Sequence, residues 1–171
     1  MAFTAQDVKK LREMTNVGMM DCKKALQATD GDMDKAVDWL REKGLAKAAK
    51  KAGRVAAEGV AYAAVIDGVG VVIEVNSETD FAAKTDAFLD LVKGLAQVVA
   101  KENPADVDAL KACTFPGTNL TVTEIMQEKV MSIGENMQIR RFARFDANPS
   151  VAYVHAGGTH GVLVNLAVEG D

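Results

Sequence analysis

The chain has 171 residues, a formal net charge of −4 and 49% hydrophobic residues, a composition typical of a soluble chain with one or two small domains. The chain has only two cysteines and two histidines, which argues against a disulfide framework and a zinc site. It has no window of about 18 uninterrupted apolar residues, which argues against a membrane span. The N-terminus lacks the basic-then-apolar order of a secretion signal, so we expect a cytoplasmic protein.

Charge is distributed unevenly along the chain. Residues 1–54 hold 12 basic and 8 acidic side chains, whereas residues 55–171 hold 8 basic and 16 acidic ones. The chain therefore has a basic head and an acidic body, and the overall negative charge argues against a nucleic-acid partner.

Residues 1–44 have the pattern of a bundle of three short helices. Thr4 and Asp7 suit the start of the first helix, Asp32 suits the start of the third, and Gly44 suits its end. Apolar residues spaced by three and four should face the core in the second and third helices: Met19, Cys22, Ala25, Leu26, Ala36, Val37 and Leu40.

After a basic linker at 45–54, the pattern changes to that of an α+β body with an antiparallel sheet. Residues 60–66 and 69–75 flank Asp67-Gly68, which suits the positive φ angles of a tight hairpin turn. Residues 84–102 have a wide apolar stripe at helical spacing. Two helices near 105–112 and 122–133 and strands over 137–145, 151–156 and 161–168 complete the prediction. Because Gly170-Asp171 follows a predicted strand directly, we expect the chain to be cut short there.

The first candidate binding surface lies at Arg12, Met19 and Met20. Neighbouring helix positions point about 100° apart, so at most one of the two methionines should fit the centre of so small a core. An exposed methionine beside Arg12 would form an adaptable contact patch. The alternative is that both methionines belong to the core and Arg12 is only a solvated charge.

The second candidate is the boundary between strand and helix at Thr79-Asp80-Phe81-Ala82. Threonine and aspartate are common helix caps, so each of them alone is accounted for by structure. Phe81 leaves two alternatives, because an aromatic ring at such a corner either tucks under the helix as a staple or stands out as a wedge.

Other motifs favour no chemistry. His155, near Tyr153 and a glycine-rich turn, is more typical of a hydrogen-bonded structural residue, and the basic run at 47–54 is typical of a solvated face. No arrangement for nucleophilic catalysis is present, Gly68-Val69-Gly70 is a hairpin turn and not a phosphate loop, and no cofactor or metal is expected.

Two segments, LREMTNVGMMDCKKAL at 11–26 and EVNSETDFAAK at 74–84, resemble signatures of the elongation factor Ts family, in the expected order and separation. The resemblance continues through 133–141 and 161–164. It implies a ubiquitin-associated-like three-helix domain at 1–44, a first core subdomain at 55–144 and the start of a second, incomplete one at 145–171.

The resemblance also implies a function. Members of this family are guanine-nucleotide exchange factors for the GTPase elongation factor Tu, so the chain would be a regulator and not an enzyme. Partner contacts would fall on Arg12, Met19, Met20 and His155, and Thr79, Asp80, Phe81 and Ala82 would intrude near the magnesium and phosphate site of the GTPase.

Two positions depart from the family pattern: Asn16 stands where Gly, Asp or Gln is usual, and Ala82 replaces the usual Val. Two rival interpretations remain open. One is a ubiquitin-associated-like binding module on a dimerising α+β body, whose exposed strand edge would allow self-association. The other is a nucleic-acid chaperone that uses the basic linker.

Overall fold

The computed structural model describes residues 3–15 and 17–167. Within these ranges the chain forms two compact units. The bundle unit contains residues 3–53 and 127–134, and the sheet unit contains residues 54–126 and 135–167. The departure at Asn16 and the chain end at Gly170-Asp171 lie outside the described residues.

The N-terminal part of the bundle unit forms three helices, as predicted: α1 (Ala5–Thr15), α2 (Met19–Ala28) and α3 (Met33–Lys51). Thr4 and Asp7 form a reciprocal cap on α1, because each backbone N–H donates to the side chain of the other residue, at 2.7 and 3.3 Å. Asp32 caps α3 by accepting from the N–H of Lys35 at 3.1 Å. The buried core comprises Val8, Leu11, Val17, Cys22, Ala25, Leu26, Ala36, Leu40 and Met131.

Gly44 does not end the third helix, contrary to the prediction. It is buried in the interior of α3, and the helix formers that follow it continue to Lys51. A Cβ at Gly44 would lie 3.4 Å from Sδ of Met131, so this part of α3 packs against residues 127–134. The predicted linker at 45–54 is therefore mostly helix.

The sheet unit contains a three-stranded antiparallel sheet in the order β1-β2-β3, with β1 at Glu58–Ile66, β2 at Val69–Ser77 and β3 at Met137–Phe145. The predicted hairpin is confirmed, because Asp67 and Gly68 have φ angles of 51° and 84°. In the β2–β3 ladder, Glu74 pairs with Arg141 and Val75 with Ile139, which leaves a bulge between these pairs.

Four helices lie between β2 and β3 in the sequence: α4 (Asp80–Ala83), α5 (Asp86–Glu102), α6 (Val107–Ala112) and α7 (Val122–Ile133). The whole predicted apolar stripe of α5 is buried, and α5 packs against the sheet. It ends at Asn103, which adopts the left-handed conformation with φ 46°. The sequence prediction did not separate α4 from α5.

A second antiparallel hairpin closes the described part of the chain, formed by β4 (Ser150–His155) and β5 (His160–Asn165). It packs against β1 and β2. The described residues thus form an α+β fold with N-terminal helices and antiparallel sheets, as the sequence predicted.

Candidate functional site

The short helix α4 begins where β2 leaves the sheet. Thr79 has extended backbone angles, and its Oγ1 accepts a hydrogen bond from the N–H of Ala82 at 3.2 Å, which caps the helix. The hydroxyl of Ser77 donates to the carbonyl oxygen of Thr79 at 2.9 Å. This hydrogen bond fixes the backbone between the end of β2 and the beginning of α4, where Asp80 and Phe81 lie.

Phe81 points away from the protein, with 80% of its surface exposed. The staple interpretation is therefore wrong, because a staple would bury the ring. Ala82 and Ala83 face the opposite way and are only 7% and 3% exposed. Of the predicted site residues, Ala82 thus lies under the turn and is not part of the exposed surface beside Phe81.

Asp80 lies beside Phe81 on the exposed side of α4. Its carboxylate accepts a hydrogen bond from Nζ of Lys84 at 2.6 Å, and this bond lowers the pKa of Asp80 below its ordinary value. Asp80 is therefore an anion at neutral pH. It can offer negative charge and acceptor oxygens next to the exposed ring.

The segment before β3 holds the turn from the other side, an arrangement that the sequence prediction missed. The carboxylate of Glu135 accepts the backbone N–H of Thr79 at 3.0 Å and the hydroxyl of Thr79 at 2.6 Å. In return, Glu78 accepts the backbone N–H of Asn136 at 2.6 Å. Since Ser77 pairs with Met137 at the end of the ladder, the two carboxylates extend strand pairing by one further step. We call this arrangement of Glu78, Thr79, Glu135 and Asn136 the carboxylate clasp.

The clasp is also tied to the beginning of the sheet unit. The side-chain amide of Asn136 donates to the carbonyl oxygen of Arg54 at 2.8 Å, and the guanidinium of Arg54 lies 3.5 Å from Glu78. Thr79 and Glu135 are 56 positions apart in the sequence. A local sequence pattern cannot predict a contact between residues so far apart. The only available signal was the Gly134-Glu135-Asn136 segment within the resemblance.

The bundle unit exposes a second group of predicted residues. Arg12 is exposed in the last turn of α1, and Met19 and Met20 are 49% and 65% exposed in the first turn of α2. The expectation that Met19 shares the buried face of Cys22, Ala25 and Leu26 is therefore wrong. The core is filled without either methionine. Met14, which the sequence analysis did not select, is also 56% exposed.

His155 is exposed at the end of β4, opposite His160 on β5. Oη of Tyr153 lies 2.8 Å from its Nδ1, within hydrogen-bond distance. The turn of this hairpin lies over the beginning of β1, because a Cβ at Gly158 would be 2.8 Å from Val60. Val60 pairs with Val75 near the end of β2, so His155 and Thr79 belong to the same end of the sheet unit.

Comparison with known proteins gives the family. The family model described as Elongation factor TS matches residues 78–171, which include the turn, the clasp and the second hairpin. The chain belongs to the elongation factor Ts family. It is 53% identical over 174 residues to the elongation factor Ts of Trichlorobacter lovleyi, with 99% of this chain and 56% of that protein covered. The corresponding protein of Agrobacterium fabrum is 51% identical, with 99% of this chain and 57% of that protein covered.

The similarity extends over the bundle unit as well as the sheet unit, since these relatives align with 99% of the chain. The chain spans about half the length of the curated elongation factor Ts relatives that it matches.

Most side chains of the basic run form contacts within their own unit. Lys47 forms an ion pair with Asp21 at 2.7 Å, Lys51 donates to the carbonyl oxygen of Gly134, and Arg54 pairs with Glu78. These contacts lower the positive charge available to a phosphate backbone. They give no support to the interpretation as a nucleic-acid chaperone.

Within residues 3–15 and 17–167, no three His, Cys, Asp or Glu side chains are grouped so that they could hold a metal ion. Over the same part of the chain, none of the helices is both long enough and apolar enough to cross a membrane.

Proposed function

We propose that this chain is a guanine-nucleotide exchange factor that binds elongation factor Tu in the cytoplasm and promotes release of GDP. The observation that carries the proposal is Phe81, an exposed aromatic ring on a helical turn that the carboxylate clasp holds just beyond the end of β2. Its membership of the elongation factor Ts family supports the choice of GTPase.

Phe81 is the wedge in this proposal. A Phe side chain gains roughly 1.5–3 kcal/mol when it moves from water into an apolar environment. In the complex this energy would be realised between helices of the GTPase, next to the phosphates. A displacement of those helices weakens several nucleotide contacts together, because the nucleotide is held by magnesium and by backbone donors around the phosphates.

Asp80 adds an electrostatic contribution in the same place. Its ionised carboxylate lies next to Phe81 in sequence and accepts from Lys84. Carboxylate oxygens are the ligands that Mg²⁺ prefers. We infer that Asp80 disturbs the magnesium ligands and their waters when Phe81 inserts.

Binding of the factor and binding of the nucleotide are linked reciprocally. If the factor weakens nucleotide binding by a given ratio, the nucleotide weakens binding of the factor by the same ratio. No covalent bond is made or broken, so the chain acts as a regulator of the GTPase and not as an enzyme.

The bundle unit supplies docking in this proposal. Arg12, Met19 and Met20 present a charged group and two flexible apolar side chains, a combination suited to a partner helix. His155 is proposed as a further contact with the partner. The second candidate function is a binding module without exchange activity. The same exposed methionines favour it, because they could bind a partner without any contribution from Phe81.

Release of fluorescent GDP from elongation factor Tu, followed by stopped flow, tests the proposal. We expect the parent chain to accelerate GDP release. In Phe81→Ala we expect that acceleration to be about ten-fold smaller. Phe145→Ala is the matched control, because it removes another exposed ring of the same unit, at the end of β3.

Three outcomes decide between the functions. Loss with Phe81→Ala and not with Phe145→Ala supports the wedge. Binding of the parent without acceleration supports the binding module. No binding to nucleotide-free elongation factor Tu overturns both.

A further inference from the structure

We propose that Glu135 is a positioning residue that holds the Phe81 turn in its active orientation by fixing the hydroxyl of Thr79. This inference rests on the proposed function of Phe81, and it assigns a role to a side chain outside the Thr-Asp-Phe motif. Glu135 lies on the segment between α7 and β3, 56 residues from the turn that it holds.

The helix α4 needs such support because it has only four residues, Asp80–Ala83. A single turn does not repay the cost of helix nucleation, so isolated turns of this length do not persist in water. Phe81 is 80% exposed and contributes little packing that would hold the turn in place. The orientation of the ring therefore depends on how the beginning of α4 is anchored.

The hydroxyl of Thr79 connects Glu135 to α4. Its proton is donated to Oε1 of Glu135 at 2.6 Å, and its oxygen accepts the N–H of Ala82 at 3.2 Å. A hydroxyl has one donor and two acceptor lone pairs. When Glu135 accepts the hydrogen bond from this hydroxyl, the lone pairs of Thr79 Oγ1 are free to accept the N–H of Ala82. The carboxylate therefore favours the hydroxyl orientation in which the cap forms.

The second oxygen of Glu135 fixes the backbone of the same residue. Oε2 accepts the backbone N–H of Thr79 at 3.0 Å. One carboxylate thus holds both the main chain and the side chain of Thr79, and both hydrogen bonds are strengthened by its charge. We infer that free rotation at Thr79, and with it movement of Phe81, is suppressed before the partner binds.

The first measurement uses the full chain without a partner. We would record ¹⁵N relaxation order parameters for the amides of residues 79–84 in the parent and in Glu135→Ala. We expect values near 0.85 in the parent to fall toward about 0.6 in the variant, with α5 unchanged. Glu135→Gln should lie between them, because its amide has a single acceptor oxygen for the two donors of Thr79.

Glu74→Gln is the matched control. Glu74 is a carboxylate on β2 that accepts a hydrogen bond from Arg141 on β3 at 2.7 Å, so it links these two strands within the sheet. We expect it to leave the order parameters of 79–84 at the parent values. Unchanged order in Glu135→Ala, or an equal loss in Glu74→Gln, would overturn the positioning role.

The second measurement separates positioning from simple destabilisation. GDP release from elongation factor Tu would be followed with Glu135→Ala, with Phe81→Ala and with the double variant. We expect Glu135→Ala alone to reduce the acceleration of GDP release about five-fold. In the Phe81→Ala background, the same substitution should reduce it by less than about two-fold. Equal losses in both backgrounds would mean that Glu135 supports the fold in general, and would overturn the inference.

Failure of the proposed function gives a different result. If Phe81→Ala does not change GDP release, the wedge is wrong and the kinetic cycle no longer reports on Glu135. The relaxation data then decide by themselves: loss of order at 79–84 supports the positioning role, and unchanged order contradicts it.

Discussion

Met20 on α2 and Phe81 on α4 are both exposed apolar side chains in the first turn of a helix, but the two helices are stabilised differently. α2 has ten residues, and its inner face packs Cys22, Ala25 and Leu26 into the bundle core. α4 has four residues, and the residue that caps it, Thr79, donates two hydrogen bonds to the carboxylate of Glu135. The packed inner face of α2 keeps Met20 in place, whereas the turn that carries Phe81 relies on a contact with Glu135, a residue distant in the sequence.

This difference suggests a division of roles. Side chains on α2 are free to adapt to a partner, as flexible methionines do. In our proposal Phe81 is held rigidly, which suits a group that displaces elements of the partner. Binding strength and exchange rate should therefore respond to different substitutions.

The largest effect is expected for Phe88→Ala, seven residues after Phe81. Phe88 is completely buried in the first turn of α5, so removal of its ring should lower the free energy of unfolding by about 3–5 kcal/mol. Urea denaturation followed by circular dichroism measures this change. Phe81→Ala should leave the midpoint nearly unchanged; an equal loss for the two variants would show that Phe81 is packed in solution.

Met20→Ala should affect binding without affecting the exchange step. Truncation of an exposed side chain that becomes buried against a partner should weaken affinity for nucleotide-free elongation factor Tu about five-fold, or roughly 1 kcal/mol. Titration calorimetry gives the affinity, and stopped flow at saturating factor gives the maximal GDP release rate, which we expect to be unchanged.

Gln27→Ala is the control for this comparison, because Gln27 is exposed near the other end of α2. It should preserve both affinity and rate. A fall in the maximal rate with Met20→Ala would remove the proposed division between docking and exchange.

The elements that the sequence predicted correctly are those encoded by nearby residues. Asp67-Gly68 defines its own turn, Asp32 caps its own helix, and the apolar stripe of α5 is complete within 17 residues. The exposure of Phe81 and the clasp were not predictable in the same way. The clasp joins Thr79 to Glu135, and α5, α6 and α7 lie between these two residues in the sequence.

Gly44 illustrates the same limit within the bundle unit. Glycine is a common helix terminator, and the local pattern therefore predicted an end there. In the structure, Gly44 has no positive φ angle and lies buried against Met131. The residue that Gly44 packs against is 87 positions away, and the local pattern does not contain that contact.

Gly44→Ala should accordingly stabilise the bundle unit by a few tenths of a kcal/mol up to about 1 kcal/mol. Alanine is favoured over glycine by roughly 1 kcal/mol inside a helix. The nearest atom to the new Cβ is Sδ of Met131, part of a flexible side chain that can shift by a few tenths of an ångström. Denaturation followed by Trp39 fluorescence measures the change, and a clear destabilisation would show that the packing against Met131 is rigid.

Lys84→Met should give the smallest effect, confined to the charge beside Phe81. The hydrogen bond from Lys84 lowers the pKa of Asp80, so the variant should return that pKa toward its ordinary value. NMR titration of the Asp80 carboxyl carbon measures the shift. Lys101→Met, which alters an exposed lysine in the last turn of α5, should leave the Asp80 pKa unchanged.

The sign of the associated stability change follows from that lowered pKa. A carboxylate with a lowered pKa in the folded state stabilises the fold above the ordinary value of 3.8, and this contribution is lost as pH falls through the lowered folded-state value. Parent and Lys84→Met should therefore differ slightly at neutral pH and converge in acid. Since Thr79 and Glu135 hold the turn without Lys84, the variant should also lose less GDP release activity than Glu135→Ala. The reverse order would mean that the charge of Asp80, and not the placement of Phe81, controls exchange.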